Sequence, residues 1–468
     1  MNNKLYIVHT NDIHGYAVET DTAIGYAKIA GLIDQYRAKG PTLALDAGDS
    51  FQGSVYAAFD GSESLMDIIN SVGYHAAAAG NADIYLARQK FCHLAGRLEI
   101  PVLAANLKLK NMENLENVED YKIVDVDGIK VGIIGLTHSC SLDMVQNSCI
   151  WLDPVDTAKE IIAKIGDQVD VLVGLVHLGT GTYPDRVEVL AEGVPEFDIL
   201  IDAHSHHIYD EIVNGVPIVQ TGSFGTNVGV VEIDLQDGKV SKVQTKLIPK
   251  EDFADIPNKP ETKALADKLL ADFEVSTSEV VGETTVFLDG NRGRIRVGET
   301  NLGNLFADAM REHTGAEAAI TYSAFISGEF QPGPITQGNI LQIARIEQMV
   351  LTVEITGQQI LDGLNHSVSL YPDQYGLFFQ VSGITFSFDP SRHKDDRIVE
   401  VRVNGAPLDN DKTYQIACCE SLNLSLVGFK ESKRVKEWDY TGVIVRQYFD
   451  KHKTVSPAIE GRINIIGK

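Results

Sequence analysis

Nothing in this 468-residue chain is apolar for long enough to cross a membrane as a helix, a task that takes roughly 20 residues. The opening, MNNKLYIVHTND, lacks the basic-then-apolar pattern of a secretion signal, so a cytoplasmic location is expected. Cysteine is scarce and odd in number: Cys92, Cys140, Cys149, Cys418 and Cys419 show no metal-site spacing and read as buried thiols. Positive charge is in deficit, with 40 Lys and Arg against 65 Asp and Glu and a net charge of -25. Such a surface disfavours duplex nucleic acid and anionic membrane, while leaving room for a local basic pocket that holds phosphate. A Walker A loop is missing too, which removes a P-loop ATPase from consideration. There is no internal repeat and no low-complexity tract.

What is present is an ordinary globular composition, 44% hydrophobic, long enough for more than one domain. From Leu5 to Pro249, short apolar runs alternate with helix-period stretches. LYIVHT, PTLALDAGD, IPVLAANL, VDVLVGLVHLG and FDILIDAHSHH read as buried strands. TAIGYAKIAGLIDQYRAKG and SLMDIINSVGY read as amphipathic helices. VDVDGIKVGIIG reads as a hairpin turning at Asp127–Gly128. This alternation predicts an α/β domain over 1–250. A linker follows over 251–279, with a helix expected at Thr262 to Phe273. Helices TNLGNLFADAMREHTG and TGQQILDGLNHSV mix with strands MVLTVEIT, VSGITFSFDP, IVEVRVNG and TYQIACC, predicting a separate α+β domain over 280–468.

Polar clusters follow the apolar runs of the first domain. LYIVHT leads to Asn11, Asp12 and His14, TLALDAG to Asp49, and AAAAG to Asn81 and Asp83. VDVLVGLV leads to His177, and FDILIDA to His204, Ser205, His206 and His207. Ligand sites in α/β folds form beyond the carboxyl ends of strands, so five elements are expected to deliver Asp, Asn and His to one sheet edge. Any one of these histidines alone reads as a hydrogen-bonded loop residue. Together they suit a pair of divalent cations, Mn, Zn, Fe or Co, with a shared Asp between them. The lack of Cys in the set argues against a structural zinc site.

HTNDIHG, DAGDSFQGS, GNAD, LVHLG and DAHSHH resemble, in order, the motifs of the calcineurin-like metallophosphoesterases. More narrowly they resemble the two-domain 5′-nucleotidase family, which includes UDP-sugar hydrolases and cyclic-nucleotide phosphodiesterases. RGRIRVGETNLGNLFADAM, PGPIT and FQVSGITFSFDPSR resemble that family's C-terminal domain. The resemblance implies an N-terminal sandwich of two sheets flanked by helices, followed by an α+β substrate-binding domain. It implies one metal held by Asp12, His14, Asp49 and His206, and a second held by Asp49, Asn81, His177 and His204. His206 stands where some members have glutamine and others histidine; His9 and His207 read as structural. The implied chemistry is attack on phosphorus by a hydroxide shared between the two metals.

The chain departs from the family at GNAD. A catalytic His is usual where Ala82 stands, with an Asp partner where Tyr85 stands. Positioned acid–base help of that kind is typically worth ~10²–10⁴ in rate. Asp83 is expected to act behind the ligands or at the surface. Some calcineurin-like phosphodiesterases also lack this His. In the C-terminal domain, Arg292 and Arg296 match family arginines that grip substrate oxygens. Ser327 replaces a third arginine, Ile346 and Ser421 replace the two base-stacking rings, and Val427 replaces a ribose-binding Asp. Phe378 and Phe379 read as core. The expectation is a dinuclear metal-dependent phosphoesterase, impaired as a monoesterase, whose substrate is a small phosphorylated metabolite, nucleotide or phosphodiester rather than an ordinary nucleoside monophosphate. The rival expectation is a metal-binding pseudoenzyme acting as sensor or scaffold.

Overall fold

A computed structural model describes residues 4–84, 88–139, 149–183, 185–420 and 432–467. Tyr85, Cys140, Ser421 and Val427, which entered the sequence reading, lie outside the described residues. The chain separates into two units, with the boundary at Phe273 and Glu274, inside the helix Pro260–Thr277. Among the described residues no helix is long and apolar enough to cross a membrane.

The first unit opens with strands Lys4–Thr10 (β1), Thr42–Asp46 (β2), Ala76–Ala78 (β3), Val102–Leu103 (β4) and Val118–Glu119 (β5). The chain then builds a second sheet from Tyr121–Val126 (β6), Ile129–Thr137 (β7), Val171–His177 (β8), Ile199–Ile201 (β9), Ile208–Val213 (β10) and Val216–Thr221 (β11). Finally it returns to the first sheet with Asn227–Gln236 (β12) and Lys239–Pro249 (β13). The spatial orders are β13-β12-β1-β2-β3-β4-β5 and β10-β11-β9-β8-β7-β6. The central strands of each sheet are parallel. The expected hairpin is β6–β7, with Val126 paired to Ile129 across its turn.

Alternation along the strands explains the layering. Leu5, Ile7, Leu43 and Leu45 of the first sheet pack in one core with Ile133, Val171, Val173 and Leu175 of the second. Their neighbours Ile134, Leu172 and Val176 point the other way, against the helices Pro154–Ile165 and Val187–Gly193. The result is a two-sheet sandwich with helical cover.

The second unit centres on a five-stranded sheet in the order Phe379–Ser382, Ala318–Tyr322, Thr413–Cys419, Met349–Thr356, Lys433–Tyr440. Ala318 and Ile320 face one core while Ala319 faces the other, where the helices Asn301–Thr314 and Thr441–His452 pack. VSGITFSFDP, expected to be one strand, is two: Phe379–Ser382 and Ile384–Phe388 belong to different sheets. Gly383 breaks the run with φ 72°, a conformation that glycine adopts without steric cost. Phe378 and Phe379 are buried in the core, as read. Cys92, Cys149, Cys418 and Cys419 are buried.

Candidate metal centre

The polar residues that follow the apolar runs do converge, but from two sheets rather than one sheet edge. β1, β2 and β3 of the first sheet lead to Asp12, His14, Asp49 and Asn81. β8 ends on His177, and β9 leads to His204 and His206 in the second sheet. A buried parallel strand has the same apolar signature in either sheet, which is why the sequence alone merges them.

Local backbone conformation aims these side chains. Asp12, His14, Asp49, His204 and His206 all have positive φ, between 51° and 79°. Such conformations cost about 1–3 kcal/mol each and cluster at functional sites. They are held by hydrogen bonds between the loops: the Asp12 amide donates to the Gly48 carbonyl at 2.9 Å and the His14 amide to the Asp49 carbonyl at 2.8 Å. The His204 amide donates to Asp12 Oδ2 at 3.0 Å, tying the two sheets' loops together. Gly80 is needed for fit, since a Cβ there would overlap the Asp49 carboxylate.

Two overlapping groups of ligand-type atoms result: Asp12, His14 and His206, and Asp12, Asp49 and His177, each within 4.8 Å. His14 Nε2 lies 3.2 Å from His206 Nε2. That is the spacing of two nitrogens on one ion, which sit roughly 3–3.4 Å apart when each bond is about 2.0–2.1 Å. Asp49 Oδ2 stands 3.7 Å from His14 Nε2 and 3.4 Å from His177 Nε2, so one carboxylate oxygen faces both groups. Asn81 Oδ1 lies 3.1 Å from His177 Nε2 and 2.6 Å from His204 Nδ1. Asp12 Oδ1 is buried without a hydrogen-bond partner among the described residues, as an atom reserved for a cation would be. His14 and His177 each direct Nδ1 at a backbone carbonyl, of Gln52 at 3.1 Å and Ala47 at 2.8 Å, which leaves Nε2 turned inward.

The electrostatics point the same way. Burial lowers the His177 pKa, but the Asp49 and Asp12 carboxylates outweigh it and hold the pKa above its ordinary value. Burial raises Asp49, yet the neighbouring His177 and His14 bring it below the usual carboxylate range. Burial, then His177 and His138, push His204 down to about 3, so its ring is neutral and its lone pair available. Buried carboxylates that favour positive charge on His177, with the neutral ring of His204 beside them, make a centre suited to a cation.

The sequence profile of the family described as "5'-nucleotidase, C-terminal domain" matches residues 280–429. A trifunctional nucleotide phosphoesterase protein of Bacillus subtilis is 27% identical over 98% of this chain, which spans 35% of that longer protein. The 5'-nucleotidase of Bos taurus is 27% identical over 98% of this chain and 90% of its own length. The solved structure of a 5'-nucleotidase precursor from Thermus thermophilus superposes with a TM-score of 0.73 at 26% identity, covering 99% of this chain and 100% of that one. Residues 280–429 match that family's C-terminal domain, and nearly the whole chain is similar to two-domain 5′-nucleotidases.

The GNAD segment departs in sequence from the motif it resembles. Asn81–Ile84 is a single helical turn, with Ala82 at the position of the family's histidine. The Ala82 amide donates to Asp49 Oδ1 at 2.7 Å, and the Gln52 side-chain amide donates to the Ala82 carbonyl. Asp83 is fully buried, which removes the surface alternative. It accepts the amides of Asp49 at 2.9 Å, Phe51 at 2.8 Å and Gly80 at 3.1 Å. His9 is buried with its pKa lowered by burial to about 3, and His207 Nδ1 lies 2.8 Å from Thr180 Oγ1; neither joins the ligand groups.

The TGSFGTNVG loop contributes a ring. The Phe224 amide donates to the Asp12 carbonyl at 2.7 Å, and its ring lies 5.4 Å from His14 and 5.3 Å from His206. Two further residues escaped the sequence reading. His138 stacks on His204, with ring centroids 4.6 Å apart, and its Nδ1 lies 2.7 Å from Asp185 Oδ1. His138 follows the apolar run KVGIIGLT directly, so the strand-end rule that found the other histidines also applied to it. No such signal marks Asp185.

In the second unit, Arg292 begins the short helix Arg292–Ile295 and Arg296 follows it. Neither guanidinium has a hydrogen bond or ion pair among the described residues. Burial, then the nearby charges of Arg292 and Arg345, lower the pKa of Arg296. Ser327, at the third arginine position, donates to the Gln342 carbonyl at 2.6 Å instead. Ile346 is half-buried and offers no aromatic face.

Proposed function

We propose that this protein is a dinuclear metal-dependent phosphoesterase whose substrate is a small phosphate ester other than an ordinary nucleoside monophosphate. The observation that carries the reading is the Asp49 carboxylate, 3.7 Å from the first imidazole group and 3.4 Å from the second. On this reading Asp12, His14, Asp49 and His206 hold one ion, and Asp49, Asn81, His177 and His204 hold the other. When bound, such a pair of ions acidifies a water and neutralises charge on phosphoryl oxygens. The protein's part is to fix the donors. The Gln52 and Ala47 carbonyls set the tautomers of His14 and His177, and Asp83 anchors the loop that carries Asp49.

The shift in substrate rests on what the chain lacks. Ala82 supplies no imidazole, which weighs most on esters with poor leaving groups. Ile346 supplies no stacking surface, and base stacking contributes ~1–3 kcal/mol per base where it occurs. Arg292 and Arg296, with no acidic partner of their own, are the proposed contacts for anionic oxygens of the substrate.

The experiment is turnover by full-length protein loaded with Mn²⁺, on bis-p-nitrophenyl phosphate, p-nitrophenyl phosphate and a nucleotide panel. Diester hydrolysis above AMP hydrolysis is expected. A marked preference for AMP would contradict the altered pocket, and ion binding without turnover of any ester would favour the pseudoenzyme. The relatives described above are named for phosphoesterase and 5'-nucleotidase activities, which supports the enzyme.

A further inference from the structure

The pair His138–Asp185 has no part in the mechanism above, yet it lies at the same strand ends. His138 follows β7, and its amide donates to the His177 carbonyl at 2.9 Å. Its ring lies nearly parallel to that of His204, at 24°. Asp185 is fixed from its other oxygen, where Oδ2 accepts the Ser139 amide at 2.8 Å. The two side chains are only 16% and 12% exposed. The Tyr183 ring packs against both His138 and His204, at 5.3 Å and 4.7 Å. The two atoms in contact, His138 Nδ1 and Asp185 Oδ1, are buried and have no hydrogen-bond partner among the described residues, so their approach is a contact of charge.

A carboxylate at Nδ1 orients an imidazole and leaves Nε2 as its working nitrogen. The family's histidine–aspartate pair is replaced here at Ala82 and Tyr85. A different histidine–aspartate pair stands one ring away: His138 stacks on His204, and His204 Nδ1 lies 2.6 Å from Asn81, the residue before Ala82. Both locations adjoin the Asn81, His177 and His204 group.

We propose that His138, oriented by Asp185, is the catalytic imidazole of this chain and occupies the role that Ala82 leaves vacant. The inference rests on the phosphoesterase reading. A water oxygen bonds to phosphorus as the bond from phosphorus to the leaving oxygen breaks. The electron pair of that bond goes to the leaving oxygen, which takes a proton from His138 Nε2. The attacking water keeps one hydrogen on the new P–OH group and releases the other to solvent, and solvent returns a proton to the ring.

The test compares bis-p-nitrophenyl phosphate with diphenyl phosphate, whose leaving group is poorer, using the full-length Mn²⁺-loaded protein. His138→Gln keeps a polar side chain against His204, and Asp185→Asn keeps the volume of the partner. His138→Gln is expected to lower kcat on diphenyl phosphate by ~10²-fold or more, and on the nitrophenyl ester by less than about tenfold. Asp185→Asn should show the same leaving-group pattern, more weakly. Metal content by elemental analysis should match the parent, and adding Ala82→His to His138→Gln should recover at least about tenfold. Equal losses on both esters, losses that track metal content, or no loss at all would each overturn the proposal, because a residue that merely braces His204 has no leaving-group dependence. Parent protein that hydrolyses neither ester would sink the phosphoesterase reading itself, and the parent's own activity separates the two failures.

Discussion

The Asp83 carboxylate accepts the backbone amide of Asp49 at 2.9 Å, so one buried acid holds another in place. Asp83 also accepts the amides of Phe51 and Gly80, and is therefore the point where the loops after β2 and β3 are joined. Asp83→Ala leaves three buried donors without an acceptor. Each unpaired group costs about 1–3 kcal/mol, so a loss of several kcal/mol is expected by denaturant unfolding. Asp83→Asn retains one acceptor oxygen and should cost less. In both variants metal retention on dialysis should fall, because the Asp49 loop loses its anchor. Full retention of metal by Asp83→Ala would show that the loop is held by other means.

Gly80→Ala tests the same corner by size. A methyl group at this position would overlap Asp49 Oδ1 and the Asp49 amide nitrogen, so the carboxylate must move. Protein that folds with unchanged circular dichroism but binds fewer than two equivalents of Mn²⁺ is the expected outcome. Normal metal stoichiometry would mean that the Asp49 rotamer is not critical.

The two ligand groups predict unequal effects of removing their members. Asp49 faces both, so Asp49→Ala should abolish binding of both ions. His206 belongs to the first group and not the second, 3.2 Å from His14 and 3.4 Å from Asp12, and its side chain is 35% exposed. His206→Ala should therefore leave one equivalent bound by elemental analysis. His206→Gln keeps a donor atom at similar reach and should retain both ions with weaker affinity. Loss of both ions from His206→Ala would argue that the groups fill cooperatively rather than independently.

Much of this was legible in the sequence because the ligands follow β1, β2, β3, β8 and β9, where apolar runs give way to Asp, Asn or His. The partition of those strands between two sheets was not, since burial on both faces leaves the same pattern in each. The part Asp83 plays was hidden for a related reason. Its partners are backbone amides, which have no residue signature, and its burial comes from loops distant in sequence. Asp185 meets His138 from the segment after β8, and no periodicity marks that approach. In the second unit, the split at Gly383 depends on one backbone angle in an otherwise continuous apolar stretch.

Glu347 gives a prediction clear of the metal centre. Burial raises its pKa from 4.5 to about 7, against the opposing pull of the Gly442 amide at the start of the helix Thr441–His452. One carboxylate oxygen, Oε2, is buried with no hydrogen-bond partner among the described residues. A pKa raised on folding means that the folded protein binds the proton more tightly. The contribution to stability is then fully present below pH ~4.5 and is lost as pH rises through about 7. The size of the effect is on the order of 3 kcal/mol. Glu347→Gln mimics the protonated form and should remove this dependence. Denaturant unfolding at several pH values between 5 and 8 should therefore show the parent losing stability relative to the variant as pH rises. Parallel curves across that range would mean that Glu347 titrates near its ordinary value in the folded protein.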